Sequence, residues 1–251
     1  MNQKITKLAQ LITDSSRIVG FTGAGLSTES GISDYRSKGG LWERFTPVYF
    51  QEFLEDEEKR KLYWRRKLEM WPSLRDAEPN EGHRIFTSLH ERGKLNGVIT
   101  QNIDGLHEAA GVPREKIVRI HGTNSEIVCL SCGRVSPAAG LMDRMTEGDP
   151  PPRCGECGGL LKPNTISFGQ NLDANEIRLA EEMNEGCDLM LCFGSTLVVY
   201  PAADMPVQAK RRGAALAIVT LSETPLDNMA DVVIQRPIGE VVASLRRELG
   251  W

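Results

Sequence analysis

Six short apolar runs alternate with helix-patterned segments, and that alternation constrains the fold of this chain more than any other feature. The runs, residues 18–22, 98–101, 117–120, 189–193, 216–220 and 232–234, are rich in β-branched residues and predict strands. Between and around them, residues 5–14, 81–92, 174–184, 202–211 and 239–249 carry apolar positions at helical spacing. Asn80, following Pro79, is placed to cap the second of these helices. Strands that alternate with helices predict an α/β fold, a parallel sheet covered on both faces. Such sheets bind ligands beyond the carboxyl ends of their strands, and three polar loops fall there: 23–36, 101–104 and 194–196. Two stretches break the pattern. Residues 46–71 are charged, aromatic and read as helical, and residues 126–161 hold four cysteines, several glycines and three successive prolines. Both read as insertions that together form a smaller domain.

The cysteines form two C-x-x-C pairs, Cys129 with Cys132 and Cys154 with Cys157, separated by 21 residues. Each pair offers two thiolates from one tight turn, and four thiolates complete a tetrahedral zinc site with no position left for water. The expectation is structural zinc; unrelated or redox-active pairs are the alternative. Cys187 and Cys192 flank a buried run and read as core thiols. A net charge of −4 gives no reason to expect nucleic-acid binding, and no apolar run approaches the ~20 residues of a membrane span. The first sixteen residues are amphipathic and lack the continuous apolar centre of a signal peptide. The chain therefore reads as cytoplasmic, with a monomer as the default expectation.

The loop after the first strand begins Gly23-Ala24-Gly25, like a dinucleotide fingerprint, but Thr28 stands where that fingerprint wants a small residue. More loop chemistry follows, Gly31, Ser33, Asp34, Gly39 and Gly40, in place of a helix, a second strand and an acidic residue. An ordinary hydride-transferring dehydrogenase is therefore disfavoured. Gln101, Asn102 and Asp104 follow the second strand, where they can either bind a ligand or cap a turn. His121 ends the third strand, in the same layer, as a candidate general base. His83, His90 and His107 lie in helical patterns and read as structural. Gly194-Ser195-Thr196 offers small residues and backbone amides between strand and helix.

Taken together, "GAGLSTESGISDYR", "TQNIDGLHEAAG", the His121-Gly122 pair, the four cysteines, "KPNTISFGQ" and "GSTLVVYPAA" resemble the sirtuin family of NAD-dependent protein deacylases, of bacterial or archaeal type. They run in family order over nearly the whole chain. The resemblance implies a Rossmann-like domain from residues 1–45, 80–125 and 162–251. It also implies a small domain made of a helical insertion at 46–79 and a zinc ribbon at 126–161. NAD, as co-substrate, would meet an acylated lysine of a partner protein in the cleft between them. By resemblance, Gly23, Ala24, Gly25, Thr28, Tyr35 and Arg36 contact NAD. Gln101, Asn102 and Ile103 line the ribose and nicotinamide pocket, with Asp104 holding the carboxamide. Gly194 and Ser195 take the adenosine side, and Thr220, Leu221 and Ile238 flank the adenine. Ile166, Phe168 and Gly169 shape the acyl-lysine tunnel. Gly169, Gln170 and Asn171, with Leu197, Val198 and Val199, pair with the substrate backbone. Asn102 and His121 are the implied catalytic pair: the acyl oxygen takes C1′ of the ribose as nicotinamide leaves, and His121 then deprotonates a ribose hydroxyl. The implied products are nicotinamide, free lysine and O-acyl-ADP-ribose.

Four positions depart from the family pattern: Ser33 for a proline, Tyr35 for a phenylalanine, Thr220 for a common asparagine and Ser167 for a frequent aromatic. None removes a catalytic group. "KLYWRRKL" contains Tyr63 and Arg66, a Tyr-x-x-Arg pair that resembles the signature of family members accepting succinyl- and malonyl-lysine. On a helix the two side chains share one face, although a segment this dense in charge places an arginine after a tyrosine by chance as well. Two other functions remain in competition: an ADP-ribosyltransferase on the same scaffold, and a catalytically silent NAD- or acyl-peptide-binding module.

Overall fold

Every residue of Ile18–Thr22 is buried, as a strand covered on both faces must be. This strand, β1, lies inside the larger of two sheets in a computed structural model that describes residues 2–37 and 39–251. The remaining strands are β2 (Leu95–Thr100), β3 (Ile117–Arg119), β4 (Gly122–Cys129), β5 (Val135–Pro137), β6 (Leu161–Thr165), β7 (Leu189–Phe193), β8 (Ala215–Val219) and β9 (Val232–Ile234). Six of them pair in the order β3-β2-β1-β7-β8-β9, all parallel. The chain builds outward from β1 to β3, then returns to the other side of β1 and builds outward again. The order therefore reverses between β1 and β7, and that switch point is where an open α/β sheet binds its ligands.

The helices follow from local sequence. They are α1 (Asn2–Asp14), α2 (Leu41–Arg44), α3 (Phe50–Glu55), α4 (Glu57–Arg75), α5 (Glu81–Glu91), α6 (Leu106–Ala109), α7 (Ala139–Met142), α8 (Ala174–Asn184), α9 (Asp204–Arg211) and α10 (Ile238–Leu249). Side-chain caps start three of them. Asp56 accepts the amides of Glu58 and Lys59, Asn80 accepts that of Gly82, and Asp173 accepts those of Asn175 and Glu176. On one face of the large sheet, Leu8, Ile12, Phe86, Leu89, Val242 and Leu245 pack α1, α5 and α10 against the strands. On the other, Val19, Phe21, Met190, Ile218, Ala180 and Met205 pack the strands against α8 and α9. Gly20 lets Phe86 lie flat on β1, because a Cβ there would come within 2.5 Å of the ring.

Where bounds differ from the sequence reading, polar residues hid them. β2 starts at Leu95 rather than 98 because polar Asn96 is accommodated in the strand, donating to the Met183 carbonyl at 2.7 Å. β2, β3 and β8 each end one residue before the expected position, since the ladder stops where the loops diverge. Residues 46–71 are not one helix: 46–49 are irregular, and Asp56 ends α3 while capping α4. The small antiparallel sheet, β5-β4-β6, was not read from sequence. Its strands carry Cys129 and two prolines, and they pair across an interval that looks like loop. A third core cluster, with Phe53, Tyr63 and Trp64 from α3 and α4 and with Ile127, Ala138 and Met142, packs this sheet against the helical insertion. Among the described residues, no helix is long and apolar enough to cross a membrane.

Candidate active site

The loops after β1 and β7 cross at van der Waals distance. Gly194 has φ of +66°, and a Cβ on it would come within 2.1 Å of the Leu26 amide nitrogen. Side chains are excluded from this crossing by backbone, which no rotamer change relieves. Gly25 N–H donates to the Gly194 carbonyl at 2.8 Å, and Gly23 N–H to that of Phe193 at 3.1 Å. The amides of Ala24 and Ser195 have no acceptor among the described residues, so the crossing presents free donors at the switch point, as an anion cradle does.

From β2 and β3 a polar network reaches the same place. Gln101 Nε2 donates to Ser195 Oγ at 2.8 Å, joining the ends of β2 and β7 across β1. Asn102 Nδ2 donates to the Gly23 carbonyl and to Ser27 Oγ, both at 3.1 Å. Ser27 Oγ in turn donates to Asp104 Oδ2 at 2.7 Å. Asp104 Oδ1 accepts the Leu106 amide at 2.9 Å, and burial raises its pKa above the usual carboxylate value. His121 Nδ1 lies 3.2 Å from the Gln101 carbonyl. A carbonyl can only accept, so Nδ1 carries the proton and Nε2 of the neutral ring is left as the acceptor. Burial lowers the His121 pKa, which favours that neutral form. Four strand ends are thereby tied into one wall in which an amide, a carboxylate and a neutral imidazole lie side by side.

Sequence reasoning passed over two members of this wall. Ser27 is almost wholly buried and bridges Asn102 and Asp104. His83, read as structural, sits with Nε2 3.4 Å from Ser27 Oγ while Nδ1 accepts the Asn80 amide, and burial drops its pKa to about 4. Asn80 Nδ2 also pins the first loop, donating to the Leu26 carbonyl at 2.8 Å and to Ser30 Oγ at 3.0 Å. The one available signal was a hydroxyl and a cap flanking a loop that must be held open. His107 fits its structural reading, with Nε2 2.9 Å from Thr22 Oγ1.

The other expected positions fall around this wall. Thr28 Oγ1 donates to the Gly25 carbonyl. Tyr35 and Arg36 both pack on Trp42, with ring centroids 5.8 Å apart for the tyrosine and the guanidinium 4.1 Å above the ring for the arginine. Ile103 and Ile166 join the wall through backbone: the Ile103 carbonyl accepts the Asn124 amide, and the Ile166 amide donates to the His121 carbonyl, each at 2.9 Å. Phe168 lies between Trp42 and Tyr49 and is 40% exposed. Gly169, Gln170 and Asn171 lie in a loop held by the Gln170 amide on the Ser167 carbonyl. Leu197 is buried in the core with φ of +55°, while Val198 faces solvent and the Val199 carbonyl accepts the Ala203 amide. Thr220 is buried at the end of β8, and Leu221 beside it is 71% exposed. Ile238, the first residue of α10, packs its side chain into the core. Tyr63 and Arg66 share a face of α4: Tyr63 Oη and Arg66 Nε are both buried without a hydrogen-bond partner. The polar groups closest to the phenol are Thr165 and Ser167.

The four cysteine sulfurs converge, all within 4.8 Å of one another, with Cys129 and Cys157 Sγ 3.5 Å apart and Cys132 and Cys154 Sγ 3.9 Å apart. A tetrahedron of 2.3 Å zinc–sulfur bonds has edges of about 3.8 Å. The Cys132 and Ser131 amides aimed at the Cys129 sulfur, and the Gly159 amide aimed at that of Cys157, favour the thiolates that zinc needs, while the crowding of the neighbouring thiols pushes Cys157 up to about 12. The residues fit a structural zinc ion on both counts.

Comparison with known proteins agrees with this geometry. Residues 23–201 match the model of the Sir2 family. The chain is 41% identical over 238 residues to an NAD-dependent protein deacetylase 1 of Bradyrhizobium diazoefficiens, covering 95% of this chain and 93% of that one. An NAD-dependent protein deacetylase of Caldivirga maquilingensis is 38% identical over 244 residues, covering 97% and 93%. A solved Sir2 enzyme superposes with a TM-score of 0.89 at 35% identity, covering 100% of this chain and 99% of that one. A Sir2 variant solved with a deacetylated p53 peptide and 3′-O-acetyl-ADP-ribose gives 0.87 at 32% identity, covering 98% of each.

Proposed function

The chain belongs to the Sir2 family and is an NAD-dependent protein deacetylase, and we propose that His121 and Asn102 carry its reaction on acylated lysines of proteins. The observation that carries this assignment is the fixed tautomer of His121, whose Nδ1–H is committed to the Gln101 carbonyl and whose Nε2 is free to accept a proton. NAD supplies the ADP-ribosyl group that accepts the acyl, giving up nicotinamide. Ala24 and Ser195 amides bind its phosphates and ribose. Asn102, held by Ser27 and the Gly23 carbonyl, orients the ribose beside His121. Asp104 accepts from the carboxamide. His121 takes the proton of a ribose hydroxyl, and with one water consumed the products are nicotinamide, lysine and O-acyl-ADP-ribose. The domain division into residues 1–45, 80–125 and 162–251 against 46–79 and 126–161 suits a cleft between the two sheets. Four clustered thiols without disulfides suit a reducing cytoplasm.

A second, finer reading concerns the acyl group. Burying a phenol and a guanidinium nitrogen without partners is costly, and a carboxylate at the end of an acyl chain would satisfy both. Tyr63 and Arg66 thus favour succinyl- and malonyl-lysine beside acetyl-lysine. Purified protein incubated with NAD and acetyl-, malonyl-, succinyl- and long-chain acyl peptides, read by mass spectrometry, tests both readings. The expected result is one nicotinamide and one O-acyl-ADP-ribose per lysine released, with Arg66→Met lowering the succinyl-to-acetyl ratio of kcat/KM at least about tenfold. ADP-ribose appearing on protein without O-acyl-ADP-ribose would instead make the chain a transferase. An unchanged ratio would make Arg66 a structural charge.

A further inference from the structure

Beyond Arg66, two more cations lie beside Tyr63, one half-buried and one wholly buried. Lys67 follows Arg66 on α4, and Lys162 lies on β6 with 1% of its surface exposed. Their ammonium groups both lie near one ring: Lys67 Nζ is 5.6 Å and Lys162 Nζ 5.7 Å from the centroid of Tyr63. Neither pairs with a carboxylate among the described residues. Lys67 Nζ donates to Asn124 Oδ1 at 3.1 Å, and Lys162 Nζ donates to the carbonyls of Pro163 and Thr165. Arg66 Nη1 donates to the Thr46 carbonyl, and Glu69, the acid whose charge acts on Arg66, is engaged by Arg44. Tyr63 Oη itself has no partner.

A buried ammonium without a counter-ion is among the most costly arrangements a protein can hold. A second, half-buried ammonium near the same ring is harder still to hold, since the Lys67 charge acts against that of Lys162. Burial accordingly draws Lys67 down to about 8 and Lys162 to about 7, with the Lys67 charge as a second cause for Lys162. Burial also pushes the Tyr63 phenol up to about 12, so it stays a neutral donor. A set of donors with no acceptor of opposite charge is complementary to an anion. The set also adjoins the reaction centre: Asn124, which holds Lys67, donates its amide to Ile103, between Asn102 and Asp104.

We propose that Lys67 and Lys162, with Tyr63 beside them, form the floor of the acyl pocket and select acyl-lysines whose chain ends in a carboxylate. The proposal rests on the reading of Tyr63 and Arg66 as an acidic-acyl site and extends it from one cation to three. In the absence of such a substrate the two ammonium groups lean on backbone carbonyls and an amide oxygen. A carboxylate entering along the phenol replaces those neutral acceptors with charged ones.

The test separates charge from shape. Two peptides are compared, one carrying succinyl-lysine and the other its terminal amide, which has the same size and no charge. The readout is the ratio of kcat/KM for acid over amide, measured in wild type, Lys67→Met, Lys67→Arg, Lys162→Met and Arg66→Met. The wild type is expected to favour the acid, Lys67→Met to lower the ratio roughly 10–100-fold, and Lys67→Arg to restore most of it. Lys67 is half-buried and its methionine variant keeps the stem, so this arm holds even if Lys162→Met fails to fold. The proposal is overturned if Lys67→Met leaves the ratio at the wild-type value. It is overturned equally if acid and amide activities fall in step with a lowered Tm, or if wild type does not discriminate. If Arg66→Met collapses the ratio and Lys67→Met does not, the Tyr63–Arg66 reading stands and this one fails; the reverse pattern leaves the lysines as the selecting charge and removes Arg66.

Discussion

The role given to His121 makes a prediction in which sign and size both follow from geometry. The ring nitrogen facing the Gln101 carbonyl must bear a proton, which leaves Nε2 as a base only while the ring is neutral. Burial opposes the imidazolium and outweighs the hydrogen bond to Gln101, which favours it, so the pKa lies below the usual histidine value of about 6.5. The active form is the deprotonated one. Activity should therefore be flat between pH 7 and 8 and lost as the pH falls through a midpoint below about 6.5. His121→Ala removes a positioned general base, a loss of roughly 10²–10⁴ in rate, or about 3–5 kcal/mol in barrier. The base acts after nicotinamide has left, so exchange of labelled nicotinamide into NAD should persist in the variant while release of free lysine collapses. The assay is single-turnover deacetylation of an acetyl peptide across pH 5–9 alongside nicotinamide exchange, with Tm measured on both proteins. An acid limb centred above 6.5, or a variant that loses exchange and deacetylation together at unchanged Tm, would refute the assignment.

Two further predictions concern the scaffold. Metal analysis should find one zinc per chain, and Cys129→Ala or a strong chelator should lower Tm and activity together, because the four converging thiolates hold the small sheet through the metal; a folded, fully active, metal-free protein would contradict this. Gly194→Ala puts a Cβ into the Leu26 backbone at a φ of +66°. The left-handed conformation alone costs about 1–2 kcal/mol, so Tm should fall by at least about 2–8 °C and NAD affinity with it, as thermal melts with and without NAD would register; an unchanged melt would mean the two loops do not cross so closely.

How much of this was legible in the sequence differs with the kind of information. The large sheet was readable because fully buried parallel strands are continuous apolar runs: β1 and β7 end where the run ends. The zinc site was readable because both halves of the ligand set repeat a fixed local spacing. The polar wall was readable in part, since residues at strand ends are brought to one layer by topology without any contact being known. Ser27 was missed for a related reason. Its importance lies in a hydrogen bond to Asp104, 77 residues away, and no local pattern encodes a partner at that distance.

The small domain was the hardest to read, and Lys162 shows why. A lysine in a three-strand ribbon, pairing with Val128 on a sheet only three strands wide, has every reason in sequence to point outward. It is buried because α4, a helix whose own composition is dominated by charge, lies across the ribbon and sets the Tyr63 ring beside it. Neither segment carries an amphipathic signal strong enough to predict the contact. Both α4 and β6 place cations on the side where they meet, and stability alone would select against that arrangement. The places where local rules fail in a folded chain concentrate at functional sites. The helix–ribbon contact is such a place, lying against the loop that holds Asn102. The charge that sequence reading assigns to solvent is turned inward here, an arrangement that an anionic acyl chain, as proposed above, would complete by supplying a counter-ion.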